Sequence, residues 1–317
     1  MSHIGELGEL RAFLRSVELG SFSAAARELK LTPSTLSKLV TRLERTFKVA
    51  LVKRTTREIV PTPEGELFAA RCRRILGELE DAQTEVSRSR ERPRGRLRMH
   101  AGPGFGETQL VYEIPRFLER YPEVTIDLVL EDRRVDLVRE NLDISIAVVR
   151  PDHENLVVRK LFDIERITCA APSYLKRHGT PRTPEDLARH RCVRVSSWSA
   201  IPWQFKTPSG IRTVQVDPAF LVNNAGFATQ LVFAGAGISQ MMEFQVMQGL
   251  REGRLVHVLP RYPCPDIRPM VAAYPHERNR LPRVKAMLDF LEDTFAPRPW
   301  RRDATLSPPG SSPARRR

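Results

Sequence analysis

Positive charge and hydroxyl groups concentrate in one short stretch of the chain, residues 30–57. Eight lysines and arginines stand there against one acid, Glu44, in a protein whose net charge is +13. Such a dense set of cations repels itself unless an anion lies opposite, and the phosphates of a nucleic acid are a natural complement. Charge alone would also suit a solvated basic surface, so the choice depends on the elements that present these side chains.

Three short helices are predicted around this stretch. Apolar residues at helical spacing indicate a first helix over 7–17 and a second over 24–30. Thr32 as N-cap and Pro33 at the first helical position then open a third helix, which runs to about residue 47. Its apolar side consists of Leu36, Val40, Leu43 and Phe47.

A tight turn before the third of three helices predicts a helix-turn-helix, whose third helix enters the major groove of DNA. Side chains near its start would reach bases, and later ones would reach phosphates. The first group is Ser34, Thr35 and Lys38, and the second is Thr41, Arg42 and Arg45. Alternating apolar residues over 49–60 predict a two-stranded wing, from which Arg54 and Arg57 would reach the DNA backbone or minor groove.

A long helix is predicted from Pro63, after the N-cap Thr62, to about Ser89. Its apolar residues recur at alternating spacings of four and three, which favours a heptad seam between two copies of the chain. The seam consists of Phe68, Cys72, Ile75, Leu79, Ala82 and Val86. Packing of this helix within one subunit is the alternative. The polar segment 87–96 is typical of a hinge.

Beyond the hinge, strands and helices alternate in an order that predicts a largely parallel sheet. The predicted strands are 97–101, 125–130 and 144–149. The predicted helices are 108–121 and 135–140, followed by a second α/β stretch over 166–258 and a last helix over 282–295. Ligands of such sheets bind at the carboxyl ends of the strands.

The loop from Gly102 to Gly106 follows the first of these strands and opens a helix. Backbone N–H groups at a helix start attract anions, and the glycines let a ligand come close. With the facing loops, it gives a candidate effector set of Pro103, Gly104, Phe105, Val149, Arg150, Ser196, Trp198 and Asn223. Arg150 would pair with a carboxylate, so a small organic or aromatic acid is expected. Solvation of Arg150 and packing of Trp198 are the alternatives.

Several function classes lack their usual sequence signature. No apolar run approaches the ~20 residues of a membrane helix and no secretion signal is evident, so a cytoplasmic protein without membrane contact is expected. The four cysteines form no CxxC pair and predict neither a metal site nor a disulfide. The sequence contains no HExxH, P-loop or GxSxG motif, so neither catalytic residues nor a cofactor are expected.

Several blocks of the sequence, in the same order, resemble LysR-type transcriptional regulators. SFSAAARELKLTPSTLSKLVTRLE (residues 21–44) is similar to their helix-turn-helix, and residues 52–68 are similar to their wing and linker helix. The blocks similar to their effector domain are 116–148, 169–194 and 222–239. The resemblance extends over residues 5–295.

The resemblance implies a multidomain α/β protein that binds double-stranded promoter DNA as a homodimer or homotetramer and responds to a small-molecule effector. Its parts would be a winged helix-turn-helix (1–63), a dimerising linker helix (64–92), a periplasmic-binding-protein-like effector domain (93–296) and a disordered basic tail (297–317). Subdomain I of the effector domain would comprise 93–164 and 267–296, and subdomain II would comprise 165–266. The DNA-facing set would be Thr32, Pro33, Ser34, Thr35, Ser37, Lys38, Thr41, Arg42, Arg54 and Arg57.

Two positions depart from the family pattern. Lys48 stands where a glycine is usual, in a turn that suits a left-handed backbone, at a cost of roughly 1 kcal/mol. Near Gly104, where a hydroxyl often meets the effector, no hydroxyl occurs before Thr108. Capping by Thr32 and packing by Ser37 remain alternatives to DNA contact.

Two other function classes account for parts of the chain. A small-molecule-binding protein or enzyme on a periplasmic-binding-like fold, with only nonspecific DNA affinity, would explain residues 94–295 but leave the basic third helix without a role. A nucleoid-type binder would explain the charge but not the large α/β half.

Overall fold

The computed structural model describes residues 7–54, 59–86, 92–148, 156–198 and 201–301. The chain divides into two compact units, residues 1–91 and 92–317. Arg57, Val149 and Arg150 of the candidate sites lie outside the described residues, and the description of Arg54 and Trp198 is limited to their backbone.

The described residues of the N-terminal unit form four helices and a short hairpin. The helices are α1 (Leu7–Leu19), α2 (Phe22–Glu28), α3 (Pro33–Phe47) and α4 (Pro63–Val86), and the strands are β1 (Val52–Arg54) and β2 (Ile59–Pro61). The two strands pair antiparallel and confirm the predicted wing. Phe13 of α1 and the three leucine and valine positions of α3 are fully buried together, which confirms the apolar side predicted for α3 except at exposed Phe47.

Helix α4 begins inside this unit. Cys72 and Leu76 are buried in the core, and Phe68 packs its ring against those of Phe13 and Phe47, at 5.4 and 4.9 Å between ring centroids. Ile75, on another side of the helix, is 45 % exposed. The first half of the predicted seam is therefore divided, with two of its members packed within the subunit.

The C-terminal unit is built on a five-stranded sheet in the order β4-β3-β5-β14-β6. Its strands are β3 (Gly95–Ala101), β4 (Val124–Leu130), β5 (Ile144–Ala147), β6 (Leu156–Ile164) and β14 (Arg268–Pro275). Strands β4, β3 and β5 are parallel, as predicted, but β14 runs antiparallel to β5 and β6. Residues 135–140, predicted as a helix, form turns, and Leu137 is buried there.

Helices cover this sheet. Residues 103–120 are helical throughout, as α5 (Pro103–Phe105), a π-helical turn (Gly106–Leu110) and α6 (Val111–Arg120), so the helix begins earlier than predicted. Helix α10 (Pro282–Phe295) has the predicted bounds. Phe117 of α6 and Leu291 of α10 are fully buried with the sheet residues Leu97 and Met99.

The C-terminal unit has two lobes, and the large sheet with its covering helices forms the first. The described residues of the second lobe form three small sheets and three α-helices. Its elements are β7 (Arg166–Ala170), α7 (Pro172–His178), β8 (Cys192–Val195), β9 (Trp203–Thr207), β10 (Gly210–Val214), β11 (Pro218–Val222), α8 (Ala225–Phe233), β12 (Ser239–Met242), α9 (Glu243–Arg251) and β13 (Val256–His257). Strand β7 lies between β12 and β13. The chain passes from the large sheet to this lobe at Glu165 and returns before β14, close to the predicted subdomain boundaries.

Residues 297–301 belong to the described structure, and Pro299–Arg301 form a 3-10 turn, so the disordered tail predicted from residue 297 is wrong for these residues. Trp300 is 5 % exposed, and its ring packs against Phe162 and Phe244, at 5.0 and 5.8 Å between centroids. Arg301 pairs with Glu165, at 2.7 Å, and with buried Glu243. The prediction rested on a composition rich in arginine and proline and overlooked Trp300. The burial of its ring packs this segment against the connection between the lobes.

Candidate functional site

Helix α3 presents hydroxyls and a cation at its exposed start. Thr32, Pro33, Ser34, Thr35 and Lys38 are all exposed. The Thr32 hydroxyl accepts a hydrogen bond from the Thr35 backbone N–H, at 3.1 Å, and lies 3.0 and 2.8 Å from the hydroxyls of Ser34 and Thr35. Thr32 therefore caps the helix, the alternative role considered above, and its bonds orient the two neighbouring hydroxyls at the surface.

Two other members of the predicted DNA-facing set have partners within the protein. The Thr41 hydroxyl donates to the Ser37 carbonyl, at 2.9 Å, and both residues are half-buried. The Arg42 guanidinium, although its side chain is 57 % exposed, pairs with Glu9, which is 2 % exposed. Arg42 therefore neutralises a buried carboxylate as well as facing outwards, a role that helical spacing does not reveal.

The turn from α3 into the wing has the predicted left-handed residue. Lys48 has φ 55° and ψ 31° and is exposed. Glu44, the one acid of the basic stretch, accepts the backbone N–H groups of Leu51 and Val52, at 2.9 and 3.2 Å. That acid therefore anchors the first wing strand, and its carboxylate is directed at backbone donors.

The C-terminal unit encloses a cavity of about 620 Å³ between its two lobes. Gly104 and Phe105 line it, whereas Pro103 is buried beside them without lining it. The exposed Ser196 and Asn223 lie outside the lining, and Ser197 lines the cavity instead of Ser196. Of the described members of the predicted effector set, Gly104 and Phe105 therefore line the cavity, whereas Pro103, Ser196 and Asn223 do not; the set as a whole stays a prediction.

The helix start at the cavity offers fewer anion-binding donors than predicted. Pro103 has no N–H, and the N–H groups of Phe105 and Gly106 both donate to the Gly102 carbonyl, at 3.0 Å. Carboxylates also lie on this wall, since Glu131 and Asp132 line the cavity. An anionic ligand would therefore be better placed against another wall.

His100 lies at the end of β3 in a buried pair with Ser145 of β5. Its Nε2 is 3.0 Å from the Glu131 carbonyl oxygen and its Nδ1 is 2.9 Å from the Ser145 hydroxyl. Burial lowers the pKa of His100, which favours the neutral ring. Because a carbonyl only accepts, Nε2 carries the proton, and Ser145 donates to Nδ1. The Ser145 oxygen can therefore act toward a ligand only as an acceptor.

Asp132 joins the two lobes beside the cavity. Its carboxylate accepts the backbone N–H of Ala225, the first residue of α8, at 2.5 Å. Burial raises the pKa of Asp132, and the nearby Glu107 carboxylate raises it further. The Glu107 carboxylate lies close to Gly226, where a Cβ would be 1.9 Å from Oε2 of Glu107 unless that side chain moved. The start of α8 is therefore closely approached by two acids of the other lobe.

Arginines line the cavity in two groups. Arg133 and Arg134 directly follow the acids Glu131 and Asp132 in the chain, whereas Arg166, Arg194 and Arg268 come from β7, β8 and β14. Arg166, which is 8 % exposed, donates to Asp266, at 2.8 Å, and Arg268 donates to the same oxygen, at 2.8 Å. Arg194 also lines the cavity and donates to the Ile201 carbonyl, at 2.8 Å.

Gln240 lines the cavity from β12, and its side chain is about nine-tenths buried. The sequence analysis missed Gln240 and Arg166. The available signal for Gln240 was an amide beside Ser239 within a short stretch that Ile238, Met241 and Met242 make largely apolar.

The described part of the chain contains no group of three metal-binding side chains and no helix that is long and apolar enough to cross a membrane. Cys72, Cys169 and Cys192 are buried, and burial raises the pKa of each thiol to about 12. These three thiols are therefore protonated at neutral pH and poorly reactive.

Two family models match the chain. Residues 7–66 match the bacterial regulatory helix-turn-helix protein model of the lysR family, and residues 90–296 match the LysR substrate binding domain. The chain is 32 % identical over 284 residues to the HTH-type transcriptional regulator CrgA of Neisseria meningitidis, covering 89 % of this chain and 95 % of CrgA. It is 33 % identical over 305 residues to PtxR of Pseudomonas aeruginosa, covering 95 % and 96 %.

Solved structures give the same result. The structure of CrgA, described as a LysR-type transcriptional regulator, aligns with a TM-score of 0.61 at 32 % identity and covers 90 % of this chain and 97 % of that one. Full-length CbnR, solved in complex with its target DNA, aligns with a TM-score of 0.59 and covers 91 % and 99 %. At 17 % identity, CbnR supports the fold alone.

Proposed function

The chain belongs to the LysR family of bacterial transcriptional regulators, and we propose that it reads a promoter through the exposed start of α3 and senses a small molecule in the cavity of its C-terminal unit. The single observation that carries the DNA-binding proposal is the surface of α3, where three hydroxyl residues and Lys38 are exposed while the leucines are buried. Helix-turn-helix proteins contact base edges with this part of the recognition helix.

The core of the proposed base-reading set is Ser34, Thr35 and Lys38. Pro33 and Thr32 shape the helix start, whereas Ser37 and Thr41 support the helix from half-buried positions. Arg42 would contact a DNA phosphate while its guanidinium also pairs with Glu9. We include Arg54 and Arg57 as proposed contacts of the wing with DNA, because their positions in the sequence fall in the predicted wing.

The test is binding of the full chain to the DNA upstream of its own gene, compared with a coding fragment of the same length and base composition. We expect the upstream fragment to bind at least about 10³-fold more tightly at physiological salt, the lower end for specific sites. Equal binding to the two fragments would instead support the nucleoid-type alternative.

We expect the protein to act as a homodimer or homotetramer. Leu67 and Ile75 of α4 are 65 % and 45 % exposed and lie two helical turns apart, so they would form the start of the contact between copies. Size-exclusion chromatography with light scattering on Leu67→Glu with Ile75→Glu should show a smaller assembly. An unchanged mass would assign the contact to other residues.

The cavity is the proposed effector site because residues of both lobes line it, beside contacts that join the lobes, such as the hydrogen bond of Asp132 with Ala225 and the packing of Phe105 against Phe244. A ligand held by both lobes would change how they close. We propose binding without catalysis or a cofactor, and we place the protein's action in the cytoplasm because its proposed target is chromosomal DNA. The comparisons give no support to an enzyme or a transport protein.

A further inference from the structure

Gln240 is a buried amide without a hydrogen-bond partner among the residues that the structure describes. Neither its Oε1 nor its Nε2 meets a donor or acceptor, although both atoms are inaccessible to solvent. Buried amides are nearly always partnered, because losing water without gaining another hydrogen bond is unfavourable. Since Gln240 lines the cavity, a turn of its side chain toward the cavity would let a bound molecule supply the missing partners.

Arg166 lies on the same side of the sheet. Gln240 pairs with Thr168 and Met242 pairs with Arg166 in the antiparallel ladder of β12 and β7, so alternate residues place these four side chains on one face. The Nε atom of Arg166 is also buried and unpartnered within the described chain. Its Nη2 meets Asp266, but that oxygen is shared with Arg268. Two neighbouring side chains on one face therefore each have buried polar atoms without a partner in the described chain: the amide atoms of Gln240 and the Nε of Arg166.

The chemistry of these groups defines what would complete them. The Nε–H of Arg166 and the Nε2–H of Gln240 are donors, the first on a cation, and a carboxylate accepts from both. The Oε1 of Gln240 is an acceptor and requires a donor, which a carboxylate lacks. We propose that the cavity binds a small carboxylate with a hydroxyl or amine next to the acid group, and that Gln240 is the residue that selects it.

The rest of the cavity suits an apolar body on such an acid. The lining includes aliphatic and thioether side chains, such as Ile146, Val148, Val193, Met241 and Met270. At the other end Ser145, whose proton is donated to His100, offers only an acceptor. A neutral carboxamide would satisfy Gln240, but its oxygen would accept from the Nε–H of Arg166 less strongly than a carboxylate does.

The first measurement needs no ligand. Methionine matches glutamine in length and lacks the two polar atoms, so Gln240→Met should raise the melting temperature of the ligand-free protein by about 2–4 °C. If the amide instead makes an internal hydrogen bond that holds β12, the substitution should lower the melting temperature. That result would overturn the proposal.

The second measurement compares matched probes by calorimetric titration of the full chain. The two probe sets are mandelate, phenylacetate and mandelamide, and 2-hydroxybenzoate, benzoate and 2-hydroxybenzamide. In at least one set the hydroxy acid should bind about tenfold or more tightly than both the acid without the hydroxyl and the neutral amide. Gln240→Met should remove that preference. Equal affinities within both sets, or no binding of either hydroxy acid at millimolar concentration, would overturn the proposal.

This inference rests on the proposed role of the cavity as the effector site, and a third measurement separates the two. Wild type and Gln240→Met are compared for binding to the upstream DNA without any acid. If the wild type does not bind the upstream DNA, the proposed function itself is contradicted. Retained DNA binding with no hydroxy-acid preference would contradict only the assignment of ligand class.

Discussion

Helix α3 and the cavity carry the two proposed functions in opposite ways. On α3 the residues that would touch DNA are exposed, and different residues, Leu36, Val40 and Leu43, hold the helix in the core. In the cavity, Gln240 and Arg166 are themselves buried within the strands that build the lobe. A substitution at the exposed side of α3 should therefore change DNA binding without changing stability. A substitution at Gln240 or Arg166 should change both ligand binding and stability.

Arg42 shows that the separation on α3 is incomplete. It belongs to the exposed side, yet its guanidinium pairs with the buried carboxylate of Glu9 on α1. A cation on a recognition helix can thus serve the fold and the DNA together. Four substitutions test how far the contrast between the two regions extends, and they follow from the largest expected effect to the smallest.

Trp300→Ala should produce the largest loss of stability, because it empties a buried aromatic site at the connection between the lobes. We expect the free energy of unfolding to fall by about 3–5 kcal/mol, measured by urea denaturation with far-UV circular dichroism. Removing residues 302–317 is the matched control and should leave stability unchanged. A neutral effect of Trp300→Ala would show that this segment is not part of the packed unit.

Arg42→Ala should lower stability as well as DNA affinity, because it leaves Glu9 buried without its cation. The expected loss is about 1–3 kcal/mol, below that of a fully buried pair because the Arg42 side chain is largely exposed. Arg45→Ala, at an exposed position one helical turn on, should change stability by less than about 0.5 kcal/mol. Adding Glu9→Gln should restore most of the loss in the Arg42 variant, and no recovery would assign the loss to another contact.

Lys38→Ala should affect DNA binding alone. Removing a base contact should weaken binding to the upstream fragment by about 1–2 kcal/mol and binding to unrelated DNA by less, measured by fluorescence anisotropy. Arg45→Ala, a phosphate contact in this proposal, should weaken both alike and reduce the salt dependence by about one ion. A lower melting temperature in the Lys38 variant would contradict the separation proposed for α3.

His100 should give the smallest effect, a dependence of stability on pH. Burial lowers the pKa of His100 in the folded protein, so the unfolded chain binds the proton more readily. Stability is therefore complete above the unfolded pKa of about 6.5 and is lost as the pH falls below it, by at most about 1.4 kcal/mol per pH unit. His100→Gln, which keeps a donor for the Glu131 carbonyl, should reduce the fall in melting temperature between pH 7.5 and 5.5. Part of the fall should remain, because burial also lowers the pKa of His190 and His257. Parallel curves for the two proteins would contradict this role of His100.

The elements of the N-terminal unit were predictable because their signals are local. Thr32 and Pro33 mark the start of α3 through bonds within one helical turn, and the spacing of Leu36, Val40 and Leu43 defines its buried side. The left-handed turn at Lys48 was expected from the glycine usual there in the family, and its φ of 55° agrees. Each of these features depends on residues a few positions apart.

The C-terminal unit was predicted less completely. Its parallel strands β3, β4 and β5 follow one another in sequence, but β14 enters the same sheet from more than 120 residues later and runs the other way. The turns over 135–140 and the burial of Trp300 likewise depend on distant partners. Patterns of neighbouring residues contain no information about such pairings.

The sequence alone determined the family, the wing, and the helix α3 with its exposed cations and hydroxyls. It also indicated a ligand-binding half with a glycine loop after its first strand. Only the tertiary structure paired Arg42 with Glu9, brought Gln240 beside Arg166, and placed His100 against Ser145. The physical reason is that capping, helical spacing and charge density act within a few residues of chain. Burial and hydrogen bonding across strands are decided by which distant segments meet.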